Sequence, residues 1–241
     1  MKKEWNYEND QYTKLPAHLK HLPLFTRHFD FTSWIFRCMW GFLMKCILLK
    51  YYVKVDIHGN FKKIYKENPK LLIISNHTSH MDTTIITTAI PFKYWLDLYI
   101  GAAKDYWFQN SLFTFFSKHC LGAIPIDRKE KSGESVKLII RLLKTLDRIW
   151  MILYPEGTRS QDGYIKKFKK GISIFSQRTK TPILFIYLQG AAELMPKGSL
   201  PKMGRVQLYV GPVQQPADIE EIDKNYKEWV TSINPNAYKS P

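Results

Sequence analysis

The chain has 241 residues, with 36 Lys plus Arg against 21 Asp plus Glu and a formal net charge of +15. At 45% hydrophobic and 15% aromatic residues it can bury a core, which excludes a disordered tail, and its 12 Gly and 13 Pro do not make a collagenous repeat. Cys38, Cys46 and Cys120 are odd in number and scattered, which excludes a disulfide framework and a four-cysteine zinc site and fits a reducing compartment. The positive excess predicts a polyanionic partner, either nucleic acid or an anionic membrane surface.

In chain order, the first ten residues carry Glu4, Glu8 and Asp10 and lack an apolar run. No secretory signal peptide is expected there, and the chain is expected to stay inside the cell. Residues 31–53 crowd Trp34, Phe36, Met39, Trp40, Phe42, Leu43, Ile47 and Leu48 around Arg37, Lys45 and Lys50. A spanning helix wants about 20 apolar residues, and each charge near the bilayer centre costs roughly 2.5–3.5 kcal/mol. Spanning is therefore disfavoured. Aromatics with snorkelling cations suit a helix lying in the headgroup region, and a core helix with charged edges is the alternative.

From Lys70 onward, strand-like apolar runs at 71–75, 98–102, 123–126, 150–154, 183–188 and 206–210 alternate with helical periodicity. That alternation predicts an α/β sheet. Val136, Ile139, Ile140, Leu143 and Leu146 recur at helical spacing, as do Phe108, Leu112, Phe113 and Phe116, and both sets are expected to pack on the sheet. A last helix is expected over 218–233, followed by a frayed tail over 234–241. The expected organisation is a membrane-associating helical segment, 1–55, and a catalytic domain, 56–241.

The densest polar cluster, Ser75-Asn76-His77-Thr78-Ser79-His80-Met81-Asp82, directly follows the first strand, where α/β folds place sites. On one continuous helix His77 and Asp82 would point about 140° apart, so His77 must precede the helix if the two are to meet. With Ser79 as N-cap and Asp82 in the first turn, an imidazole in the loop folds back onto the carboxylate, the arrangement of a general base with its orienter. Ser79-x-x-Asp82 equally reads as a capping box that serves only the helix. His77-x-x-His80 has the look of two metal ligands, but no third ligand follows at a recognised spacing and no metal is expected.

A second cluster, Tyr154-Pro155-Glu156-Gly157-Thr158-Arg159-Ser160, follows the strand at 150–153 and should reach the same sheet edge. Gly157 permits unusual backbone angles, and Arg159 offers a planar fork for phosphate or carboxylate. A third strand ends in Asp127-Arg128, and Lys104 closes the strand that begins near Leu98. Converging donors of this kind suit an anion pocket, extended by Lys166, Lys167, Lys169 and Lys170; read singly, each is an ordinary surface charge. No Gly-x-Ser-x-Gly elbow, Walker-type loop or dinucleotide fingerprint is present. A base without a nucleophile of its own suggests that a substrate hydroxyl is the nucleophile.

These blocks resemble the glycerolipid acyltransferase family typified by 1-acylglycerol-3-phosphate acyltransferases. His77 to Asp82 matches its His-x4-Asp block, Gly122 to Arg128 its aliphatic strand ending in Asp-Arg, and Pro155 to Ser160 its Pro-Glu-Gly-Thr-Arg-Ser block. Phe168-Lys169-Lys170-Gly171 and Ala103-Lys104 resemble further family segments. The resemblance implies a mixed sheet flanked by helices with an amino-terminal element embedded in one leaflet. It implies His77 as base, Asp82 as its orienter, Arg128 and Arg159 on the acceptor phosphate, Glu156, Gly157 and Thr158 shaping that pocket, and Lys104 as a further phosphate ligand. The implied reaction moves a fatty acyl group from acyl-carrier protein or CoA to lysophosphatidic acid, giving phosphatidic acid on the cytoplasmic face of a membrane, with no cofactor and no nucleic acid. Another lysolipid, glycerol 3-phosphate or a lyso-aminolipid are alternative acceptors. Pro125 and the segment Pro182-Ile183-Leu184-Phe185-Ile186 depart from the family pattern.

Overall fold

A computed structural model describes residues 31–48, 51–127, 133–195 and 202–239. Seven strands, β1 (Val53–His58), β2 (Lys70–Ser75), β3 (Leu98–Ala103), β4 (Ala123–Ile126), β5 (Ile149–Leu153), β6 (Ile183–Gln189) and β7 (Gly204–Gln214), form one sheet in the order β1-β7-β6-β2-β5-β3-β4. β6 and β7 run antiparallel and the other neighbours parallel, so this is the expected mixed sheet. The central strands β2 and β5 read as unbroken apolar runs because helices cover both of their faces. Leu72 and Ile74 enter one core and Leu71 and Ile73 the other, as the period of two requires. Pro125, which lacks a donor N–H, is accommodated because β4 is an edge strand.

Helices flank the sheet in chain order: α1 (Phe31–Phe42), which runs into a π-helical turn at Leu43–Leu48, α2 (Phe61–Glu67), α3 (Asp82–Ala89), α4 (Lys104–Trp107), α5 (Ser111–Phe116), α6 (Glu134–Thr145), α7 (Gly171–Thr179), α8 (Ala191–Leu194) and α9 (Ile219–Ile233). The apolar stripe of α6, carrying Leu138, Ile139, Leu142 and Leu143, closes one core together with α7 and α9. Asp218 caps α9 by accepting from the Glu221 N–H at 2.8 Å.

Three expectations need correction. The strand β1 was not anticipated, and the division at 55/56 falls within it; Val53, Val55 and Ile57 alternate strictly with Lys54, Asp56 and His58, a strand signal that directly follows the aromatic window and was passed over. Asp56 is held by Arg205 and Gln207 of the neighbouring β7. The tail is not frayed over 234–239, since Ala237 is buried and its carbonyl accepts from the Ile165 N–H at 3.1 Å. Finally, α5 does not lay Leu112 and Phe113 on the sheet. Leu112 is 76% exposed, and the helix instead meets α1 through Phe115 against Phe36 (4.9 Å between ring centroids), while Phe116 meets Trp40 (4.8 Å).

Within the described part of the amino-terminal window, α1 has a side attached to the domain and residues open to solvent. On one side Arg37 is buried and donates to the carbonyls of Trp95 at 3.0 Å and Leu96 at 3.4 Å, which pins the helix to the domain. On the other side Trp34, Met39, Phe42 and Leu43 are exposed. No described helix is long and apolar enough to cross a membrane.

Because β2, β5, β3 and β4 are parallel, their carboxyl-terminal ends share one edge. The register Ile74↔Leu153 sets the residues after β2 beside those after β5. That edge holds the polar clusters.

Candidate active site

The chain leaving β2 is first locked by Asn76, whose side-chain amide donates to the Leu188 carbonyl and accepts from the Leu188 N–H, both at 2.9 Å. The Tyr226 hydroxyl accepts from the Asn76 N–H at 3.1 Å and donates to the Ile186 carbonyl at 2.8 Å. His77 follows in the turn, outside regular structure. Its Nδ1 lies 2.8 Å from Asp82 Oδ2, and the same oxygen accepts the N–H groups of Thr78 at 2.7 Å and Ser79 at 2.9 Å. The two readings posed by the sequence separate here: Asp82 orients the imidazole, and the two N–H groups it accepts lie in the turn ahead of the helix, whose N-cap has no side-chain cap bond. The expected N-cap role of Ser79 does not hold: Met81 occupies that position, and the Ser79 hydroxyl accepts from the Met81 N–H at 3.2 Å.

Asp82 is fully buried, while the His77 side chain keeps 20% of its surface open. A carboxylate acceptor at Nδ1 selects the tautomer with its proton there and leaves the Nε2 lone pair available. Nε2 has no hydrogen-bond partner among the described residues. The imidazole also stacks on Tyr154, 3.9 Å between centroids and 15° between planes. The Tyr154 hydroxyl bonds Thr83 Oγ1 at 2.8 Å, and burial pushes this phenol well above its ordinary pKa, so it stays neutral.

The loop after β5 supplies the other wall. Glu156 is 3% exposed, and its carboxylate accepts from the His77 N–H at 2.8 Å and the Lys166 N–H at 3.1 Å. Burial pushes Glu156 up to about 7, with the Asp82 charge adding to it, against the two backbone donors that favour ionisation. Gly157 has φ +74°, so the backbone angle favours glycine; the space a Cβ would enter is filled by the flexible end of the exposed Lys169 side chain. Its N–H is engaged with the Tyr154 carbonyl at 3.0 Å. Thr158 is exposed, and Arg159 is half-buried, with a buried Nη1 that has no hydrogen-bond partner among the described residues. His80 is held below its ordinary pKa by burial first and by the Arg159 charge second.

The structure thus brings His77, Asp82, Glu156, Gly157 and Arg159 to one edge. Lys104 stands at the end of β3, two strands from β2 and so roughly 10 Å across the sheet, with its Nζ 3.7 Å from Asp127 Oδ2 in an exposed pair. Arg128 lies outside the described residues. No three His, Cys, Asp or Glu side chains among the described residues are grouped to hold a metal ion. Sequence reasoning passed over Tyr154, Asn76 and the backbone of Ser160, which donates to the His77 carbonyl at 2.7 Å. Aligning β2 and β5 as parallel neighbours would have placed Tyr154 beside the His77 turn.

The Acyltransferase family model matches residues 54–189, more than half of the chain, and the chain belongs to that family. A 1-acyl-sn-glycerol-3-phosphate acyltransferase of Streptococcus pneumoniae is 27% identical over 188 residues, covering 78% of this chain and 65% of that protein. One from Bacillus subtilis is 27% identical over 175 residues, covering 70% of this chain and 81% of that protein. The chain therefore spans just under two thirds of the pneumococcal relative's length. The crystal structure of PlsC, the 1-acyl-sn-glycerophosphate (LPA) acyltransferase of Thermotoga maritima, superposes with a TM-score of 0.68 at 22% identity, covering 90% of this chain and 86% of that one, and shows the same fold.

The buried Glu156 has a stability signature. Its ordinary value is 4.5 and its folded value about 7, so between these the unfolded chain releases a proton that the folded chain keeps. Rising pH across that window therefore works against the fold, by roughly 3 kcal/mol at full effect, and the loss levels off above it. Urea unfolding at pH 5 and pH 8 should show the wild type losing ground relative to Glu156→Gln as pH rises. A constant or growing wild-type advantage contradicts this assignment.

Proposed function

We propose that this protein is an O-acyltransferase that moves a fatty acyl group from an acyl thioester, acyl-carrier protein or acyl-CoA, to the free hydroxyl of lysophosphatidic acid, giving phosphatidic acid. The observation that carries the reading is the imidazole of His77, tied at Nδ1 to a buried carboxylate and open at Nε2. Nε2 takes the hydroxyl proton as the oxygen attacks the thioester carbonyl; collapse of the tetrahedral intermediate breaks the C–S bond, and the imidazolium returns the proton to the departing thiolate. Asp82 stabilises the imidazolium between these steps. No acyl-enzyme is formed. The names of the relatives support lysophosphatidic acid as acceptor.

Arg159 grips the acceptor phosphate with its planar fork, helped by Arg128 and more remotely by Lys104, while Gly157 and Thr158 shape the pocket. The developing oxyanion needs donors, and the Gly157 N–H, which lies on the same loop, is engaged in its own turn. Because the acceptor is a lipid, the exposed Trp34, Met39 and Phe42 of α1, Leu43 just after it and the net charge of +15 suit attachment to an anionic membrane, on the cytoplasmic face where thioester donors are found.

Purified protein assayed with acyl-CoA and acyl-carrier protein donors against lysophosphatidic acid, other lysolipids, glycerol 3-phosphate and a lyso-aminolipid should prefer the first. His77→Ala should lower the rate by roughly 10²–10⁴-fold; undiminished transfer would end the proposal. Arg159→Lys keeps the charge but loses the fork, so it should raise the acceptor KM more than the donor KM. An unchanged acceptor KM would remove Arg159 from the phosphate site.

A further inference from the structure

Neither the sheet nor α3 holds the backbone of His77. Its N–H goes to Glu156 Oε1 at 2.8 Å, and its carbonyl receives the Ser160 N–H at 2.7 Å, so both of its main-chain polar groups are bonded by the loop after β5. The second Glu156 oxygen accepts the Lys166 N–H at 3.1 Å. One carboxylate thereby joins three segments: the turn after β2, the loop after β5 and the lysine-rich stretch before α7. That stretch is itself anchored, because Ile165 and Phe168 are buried in the core and the Lys169 N–H donates to the Pro155 carbonyl at 2.9 Å. The anchors converge on a carboxylate that is 3% exposed and has each oxygen bonded to a backbone donor.

A group so placed is poorly suited to holding substrate. At 3% exposure the carboxylate is hardly accessible to a substrate hydroxyl, and a phosphate would meet a like charge. We infer that Glu156 is a positioning residue, fixing the main chain of His77 so that its imidazole meets Asp82 on one side and the acceptor hydroxyl on the other. This inference rests on the reading of His77 as base. Asp82 and Tyr154 restrain the ring and the flanking Asn76 and Thr78 are held separately, while the Glu156 and Ser160 bonds are those made by the main-chain groups of His77 itself, and a drift of about 1 Å in such a group can cost about 10²-fold in rate.

The test compares Glu156→Gln, Glu156→Ala and His77→Ala with wild type for kcat and acceptor KM, using lysophosphatidic acid and acyl-CoA. Glutamine offers one acceptor for two backbone donors, so kcat should fall about 10-fold in Glu156→Gln and about 100-fold in Glu156→Ala, with acceptor KM within about twofold of wild type. A raised acceptor KM at constant kcat, or unchanged kinetics in both variants, overturns the inference. A His77→Ala protein with full activity refutes the base itself, whatever the Glu156 variants do. If thermal melts show the variants unfolded, amide exchange in the wild type decides. The His77 and Lys166 N–H groups should be equally protected with and without lysophosphatidic acid, whereas protection that appears or disappears with acceptor overturns the positioning role.

Discussion

One carboxylate oxygen, Asp82 Oδ2, organises the site. It gathers the N–H groups of Thr78 and Ser79 and the imidazole of His77, all within 2.7–2.9 Å, at a point fully withdrawn from water. Two of those bonds fix the turn that leads into α3 and the third aims a base, so local folding and chemistry depend on the same atom. Burial makes the arrangement unforgiving: Asp82 Oδ1 is buried with no hydrogen-bond partner among the described residues, so the three donors on Oδ2 carry the stabilisation of the charge. The three donors come from consecutive residues of one turn, and the turn is reached directly from the central strand β2. That explains how a loop residue can be held as firmly as one in a strand.

Around that point the parallel sheet does the assembling. The register of β2 with β5 delivers Tyr154 to the face of the imidazole and Glu156 to its backbone. Asn76 and Tyr226 tie the same turn to β6, and through α9 to the far side of the sheet. Three strands and two helices thus meet at His77, while Arg159 on the β5 loop brings a guanidinium near His80. The amino-terminal α1 lies outside this arrangement but is attached to it by Arg37, which links that helix to the turn leading into β3.

The parts that could be read in the sequence were those with a strong local pattern. The unbroken runs of β2 and β5 appear within one residue of where they were expected, and the stripe of α6 packs as its spacing requires. The His77–Asp82 contact was legible because five residues cannot bring the two together on a helix but can across a turn. What failed depended on distant partners. β1 gains its place from pairing with β7, about 150 positions later, and Leu112 and Phe113 of α5 look like core residues until α1 is seen to take the adjoining face. The inward aim of Glu156 is set by N–H groups at 77 and 166, which no local spacing announces. The tail at 234–239 is docked by a backbone bond to Ile165, the Asn234 side chain on the Tyr187 hydroxyl, the burial of Ala237 and the packing of Tyr238 on the core, none of which its local sequence announces.

The most direct measurement is the protonation pattern of the His77 ring, read by 15N NMR on specifically labelled protein in the neutral imidazole. The account predicts the proton on Nδ1, bonded to Asp82, and an Nε2 resonance of the unprotonated type, shifting toward the protonated type only when the ring becomes imidazolium. A neutral ring carrying its proton on Nε2 would show that Asp82 does not orient the base, and the mechanism built on that contact would fall.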